Sequence, residues 1–148
     1  MEDRYLFKAK RIDNGEWVIG NLITNVFFRL GQSIPYILCP DKAKYDCFED
    51  FTEENGIFEL RPDTICQCTG LKDKNGNLIW ENDIMVAHLD DAYPEDETYL
   101  RVLWHEGGFC TKEKGSEEIS PIDKFDQEHF EVIGNIFDNP ELLGRNDE

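Results

Sequence analysis

The side chains with the widest chemical range in this chain are five cysteines, at 39, 47, 66, 68 and 110, and three histidines, at 88, 105 and 129. A structural zinc site is announced by paired C-x-x-C knuckles, and the sequence has none. Cys66 and Cys68 form C-x-C, which on a strand would point both thiols to one face, and Cys39 and Cys47 would complete a set of four. The plainer expectation is that these cysteines serve as small apolar residues. Their odd number argues against a disulfide framework. None of the histidines lies in H-E-x-x-H, and no two are three or four residues apart. A small hydrolase built on His105 and Cys110 is the enzymatic alternative, because such partners meet only in the fold. No nucleophile has a recognisable local setting, and G-x-S-x-G is absent. The expectation is therefore a non-enzyme with no catalytic, cofactor-binding or metal-binding residues.

Phosphate loops of the forms G-x-x-x-x-G-K-[ST] and G-x-G-x-x-G are also missing. Asp73-Lys74-Asn75-Gly76-Asn77 hints at a calcium loop, which wants glycine at position 6 and glutamate at 12. Counted from Asp73 those positions are Leu78 and Ile84, so the segment is read as a turn.

Carboxylates are abundant. The 148 residues hold 32 acids and 15 bases, for a net charge of −17. Residues 1–40 carry +1 and residues 41–148 carry −18. Such a balance opposes direct nucleic-acid binding and docking on an anionic membrane. Asp90, Asp91, Glu95, Asp96 and Glu97 concentrate the charge in a loop with no base. They keep the protein soluble or form an acidic surface for a partner. An acidic DNA mimic that occupies a host nucleic-acid-binding protein is a second alternative. No secretory leader pattern or membrane-length apolar run is present, which makes the cytoplasm the expected location.

The elements that position these residues read as strands. Asn14-Gly15 between residues 7–12 and 17–23 is a hairpin signal, favouring a type I′ turn with positive φ at both central residues. Short strands are expected at 26–30, 34–39, 64–69, from 83 or 84, at 99–105, from 109, and at 130–137. Residues 41–62, with seven acids and three bases, read as a polar excursion with a helical turn near 46–51. Ser120 and Pro121 suggest the N-cap and first position of a short helix over 120–129. The pattern is that of an all-β sandwich or small barrel.

Residues 67–85, Gln-Cys-Thr-Gly-Leu-Lys-Asp-Lys-Asn-Gly-Asn-Leu-Ile-Trp-Glu-Asn-Asp-Ile-Met, resemble the hallmark of the YopX-like family of phage and prophage proteins. Residues 131–143, Glu-Val-Ile-Gly-Asn-Ile-Phe-Asp-Asn-Pro-Glu-Leu-Leu, resemble that family's closing motif. The opening hairpin fits more loosely. Two positions depart from the family pattern: Cys68 stands for its usual Tyr, and Asn82 for its usual Gly. The first removes family support from a metal site on Cys66 and Cys68. The second points to a position of positive φ, which Asn tolerates better than most residues.

The resemblance implies a single domain over 1–148, with sub-parts 1–62 and 63–148. It implies a small, partly open barrel of SH3-like character with an N-terminal hairpin. It implies a phage or prophage accessory protein acting in the bacterial host cytoplasm, and brings no reaction with it. The motif residues read as folding devices: Gly70 and Gly76 as turns, with Asn75-Gly76 at the tip of a tight one, Leu71, Ile79, Trp80 and Ile84 as apolar anchors, and Asp73 as a bonder of backbone N–H groups two residues on. Glu81, Asp83, Gly134, Asn135 and Pro140 belong to the same set. Ile79 and Ile84 are expected to be buried and Trp80 half covered. Function then falls to binding an unknown protein partner or to self-assembly as a homo-oligomer.

Overall fold

Residues 7–23 form the hairpin that Asn14-Gly15 marks, but its turn is wider than expected. In the computed structural model, which describes residues 5–26, 28–39, 57–88 and 97–144, β1 (Phe7–Lys10) pairs antiparallel with β2 (Trp17–Ile23). Only Gly15 has positive φ, +73°. Arg11 N–H donates to Glu16 O at 2.9 Å and Gly15 N–H to Arg11 O at 3.0 Å. Residues 12–15 therefore make the crossing, and the type I′ expectation is corrected. Asn14 remains useful there, because its Oδ1 accepts the Glu16 N–H at 2.9 Å.

Two compact units divide the chain, residues 1–67 and 68–148. In the first, the expected strand at 26–30 is replaced by a small ribbon, β3 (Phe28–Arg29) with β4 (Gln32–Ser33). It is followed by β5 (Tyr36–Leu38) and β6 (Ile57–Glu59). β5 lies between β2 and β6, with Leu22 opposite Ile37 and Ile37 opposite Phe58. Gly20 permits that approach, since a Cβ there would stand 2.1 Å from Leu38 O. Ala9, Val18, Ile37, Phe58 and Leu60 make the core of this unit. The helical turn expected near 46–51 lies outside the described residues. Pro62–Thr64 form a 3₁₀ turn, so the strand expected from Thr64 starts at Cys66.

That strand, β7 (Cys66–Lys72), carries the chain across the division. The second unit continues with β8 (Leu78–Trp80), β9 (Asp83–His88), β10 (Glu97–His105), β11 (Gly108–Glu113), β12 (Ile119–Pro121), α1 (Lys124–His129) and β13 (Glu131–Asn135). Five of these form an antiparallel sheet in the order β12-β11-β10-β9-β13. Its curled sheet leaves the edges β12 and β13 unpaired with each other, so the all-β fold is a partly open barrel. Ile79, Met85, Ala87, Leu100, Val102 and Phe130 make the core of this unit.

Two local expectations fail here for visible reasons. Ser120 and Pro121 do not start the helix but lie in β12, paired with β11. Pro121 is tolerated because β12 is an edge strand, where a missing N–H breaks no ladder. The helix is capped by Asp123, whose Oδ1 accepts from Asp126 N at 2.9 Å while Asp126 Oδ2 accepts from Asp123 N at 3.2 Å. That reciprocal pair is a capping box with Asp in both roles. Trp80 is buried rather than half covered. Asn82, with φ +71°, turns the chain back so that Asp83 Oδ2 accepts the Trp80 N–H at 2.8 Å.

Candidate functional site

The motif around Asp73 is a joint. Gly76 N–H donates to Asp73 O at 3.0 Å and Asp73 N–H to Asn77 O at 2.9 Å. With Gly76 at φ +82°, this is a type I turn closed by a glycine bulge. The buried Asp73 carboxylate accepts three backbone N–H groups. Oδ1 takes Asn75 and Asn77, each at 2.9 Å, and Oδ2 takes Val132 at 2.8 Å. Lys74 N–H donates to Phe130 O at 3.1 Å, and Asn75 Nδ2 to Glu131 Oε2 at 2.9 Å. The turn is thereby sewn to the start of β13. Its anchors Ile79 and Ile84 are fully buried; Leu71 and Glu81 are half-buried. Gly70, at φ +80°, sits where the β7–β8 register shifts. Beside it, Thr69 Oγ1 donates to Ile79 O at 2.7 Å and accepts from Leu71 N at 3.1 Å.

The closing motif is a second joint. Asn135 Oδ1 accepts the N–H groups of Phe137 and Asp138, each at 2.9 Å. Asn139 folds back so that its Oδ1 accepts from Asn135 N at 3.3 Å. A Cβ on Gly134 would lie 2.3 Å from that same Oδ1, so glycine is required by close approach rather than by φ. Pro140 then opens a 3₁₀ turn, where it needs no donor. In both motifs the buried or half-buried polar side chains Asp73, Thr69, Asn135 and Asn139 accept backbone N–H groups.

His105 and Cys110 are near neighbours at the β10–β11 turn, where their side chains meet other groups. Cys110 Sγ faces the backbone carbonyls of His105 at 3.9 Å and Gly108 at 3.8 Å. The His105 ring is instead 3.9 Å from Glu106 Oε1. His129 Nδ1 contacts Phe125 O at 3.0 Å, and its ring stacks on Phe125. Cys66 and Cys68 are buried along β7, and Cys66 Sγ donates to Thr64 O at 3.2 Å. Cys47 lies outside the described residues. Among the described residues, no three His, Cys, Asp or Glu side chains converge to hold a metal.

Of the acidic loop, Asp90, Asp91, Glu95 and Asp96 lie outside the described residues. Glu97 opens β10 and is exposed. One of its oxygens is 3.7 Å from His88 Nε2 and the other accepts from the Tyr99 hydroxyl. That hydrogen bond holds the Tyr99 hydroxyl above its ordinary pKa.

The surface that sequence reasoning missed is the β3–β4 ribbon. Leu30 at φ +52° and Gly31 at φ +82° form a two-residue loop between the paired residues Arg29 and Gln32. This is the type I′ geometry, which favours Asn or Asp first. Leucine there is both strained and 99% exposed. Val26 and Phe28 are also exposed, at 61% and 60%. Beside the ribbon lies a groove of about 370 Å³ whose apolar lining includes Ile12, Ile34, Pro35 and Leu60. Arg29 bonds Glu59 at its wall, 3.1 Å apart. The available signal was the unbroken apolar character of residues 26–28 and 30, too apolar for an exposed strand.

Comparison with solved structures finds protein EF1440 from Enterococcus faecalis similar, at 25% identity and a TM-score of 0.49, over 93% of this chain and 96% of that one. No curated protein matches the chain. Among the described residues no helix is long and apolar enough to cross a membrane. The family model described as YopX protein matches residues 7–144, taking in the opening hairpin and both joints, and the chain belongs to that family.

Proposed function

We propose that this chain is a non-enzymatic phage or prophage accessory protein that works by binding protein, and that the β3–β4 ribbon is its docking element. The observation that carries the reading is Leu30. A folding-driven sequence would place Asn at this turn, where it lowers strain and faces water well. Leucine opposes both, and a residue held in an unfavourable conformation points toward function. Val26 and Phe28, close to it in sequence, are exposed apolar residues as well. Membership of the family supports the phage setting, and the bacterial host cytoplasm follows from that setting.

The test compares the wild-type chain with Leu30→Asn, each immobilised and offered both host lysate and its own purified chain. The substitution keeps the turn and removes only the apolar group. Binding that is specific to wild type supports the reading. Equal binding by the two proteins, or none by either, overturns it.

A further inference from the structure

Strand alternation places Arg101 on the face of β10 opposite to that of Leu100 and Val102, which belong to the core of the second unit. Lys112 of β11 stands directly across from it. Residues so paired have their Cβ atoms about 4.5–5.5 Å apart, and like charges in that arrangement destabilise a sheet. Both side chains are half-buried, so salt screens them less than it would on an open surface.

The surroundings do not compensate. By pairing and alternation the flanking positions on that face are Ile84, Tyr99, Leu103, Cys110 and Ile119, and none is an acid. Glu97, further along β10, is taken by the Tyr99 hydroxyl and His88. Lys114 adds a third cation, with its Nζ 5.4 Å from the centre of the Tyr99 ring. Arg101 makes one hydrogen bond, from Nη2 to Asn82 Oδ1 at 3.3 Å. Among the described residues, its Nε is the one buried side-chain nitrogen or oxygen with no partner. Lys112 makes no ion pair among the described residues. The chain has 32 acids for 15 bases, so a partner for these cations is the commonest charge it owns, and none is placed beside them. A buried polar atom without a partner calls for an acceptor that the fold itself does not supply.

We propose that Arg101 and Lys112 form a binding site for a phosphate group. A planar guanidinium offers its donors as a fork that matches an oxyanion, and the ammonium adds a compact point charge. One guanidinium satisfies a carboxylate, whereas a phosphate has both the charge and the oxygens to engage two cations. A bound phosphate turns the repulsion across the strands into two attractions, so binding stabilises the fold. The site lies in the second unit and the β3–β4 ribbon in the first, so the two proposals stand or fall separately.

An NMR titration of the full chain tests the proposal at constant ionic strength and about pH 7, where a phosphate group carries about −1.5 to −2 charges. The signal followed is the Arg101 Nε–H. Inorganic phosphate should move it saturably in the millimolar range and raise the urea midpoint, while chloride and acetate should do neither. Lys112→Met should be at least as stable as wild type in chloride, because the repulsion is gone, yet bind phosphate at least about tenfold more weakly. Lys112→Arg should keep the binding. Glycerol 3-phosphate is titrated alongside; tighter binding of the ester names a phosphate monoester as the ligand, and tighter binding of inorganic phosphate names the free ion. No saturable shift with either overturns the proposal. An equal shift with acetate, or a folded Lys112→Met chain that binds phosphate as wild type does, overturns it as well.

Discussion

Asp73 Oδ2 accepts the backbone N–H of Val132 at 2.8 Å, across 59 residues of sequence. With the Asn75–Glu131 bond it joins the two longest family motifs, and with the N–H groups of Asn75 and Asn77 it satisfies a buried carboxylate in a solvated-looking Asp-Lys-Asn-Gly turn. Asp73→Ala removes an ionised acceptor from three N–H groups. Bonds to charged acceptors contribute about 1.5–3 kcal/mol each, without simple additivity. The expected loss is about 3 kcal/mol, read as a lower urea midpoint. A loss below about 0.5 kcal/mol would show the joint to be incidental.

Gly134→Ala should destabilise through a named collision. The new methyl would lie 2.3 Å from Asn139 Oδ1, and overpacking of this kind costs about 1–3 kcal/mol. Asn139→Ala removes the colliding atom along with its own bond to Asn135 N. The two substitutions together should therefore cost less than the sum of each alone, which a double-mutant cycle by chemical denaturation measures. Strict additivity would contradict the contact.

Ile84 and Lys74 separate anchor from surface within one motif. Ile84 is fully buried on β9, so Ile84→Ala should cost about 2–5 kcal/mol. Lys74 engages the fold through its backbone N–H and its side chain is exposed, so Lys74→Ala should stay within about 0.5 kcal/mol. Equal effects would mean that the motif is a working surface and not a folding device.

Turn position was legible in the sequence; turn type was not. Asn14-Gly15 and Asn75-Gly76 both mark true reversals, yet neither is type I′. Among the described residues, the two loops with consecutive positive φ are Leu30-Gly31 and Glu106-Gly107. Glycine is common to all four, because it supplies positive φ without strain. Strand register decides what the residue before it must do, and register is a tertiary property. Asn82 was readable, since glycine is usual there in the family and the observed φ is +71°. The cap at Asp123 was hidden by Ser120-Pro121, which makes a good helix start unless the segment is claimed by an edge strand. The ribbon was hidden because alternation and burial cannot be told apart when residues 26, 28 and 30 are all apolar.

Stability should depend on pH through Asp126. Burial pushes its carboxyl above the ordinary 3.8, outweighing the hydrogen bond from Asp123 N–H that lowers it. The folded chain therefore holds this proton more tightly than the unfolded chain. Its contribution is complete below 3.8 and is lost as pH rises through the raised folded value. Asp126→Asn should flatten the fall in urea midpoint over that window. Parallel pH profiles for the two proteins would show that burial of this carboxyl has no consequence for folding.

On the reading proposed above, Leu30 serves binding at the expense of folding, and one variant read two ways tests this. Thermal or urea unfolding and protein binding are measured on wild type and Leu30→Asn. The variant is expected to be more stable, by about 1 kcal/mol from relief of the left-handed strain, and to bind no longer. A variant that is less stable and binds as before would show that Leu30 is part of the folding machinery, and the docking role would fall with it.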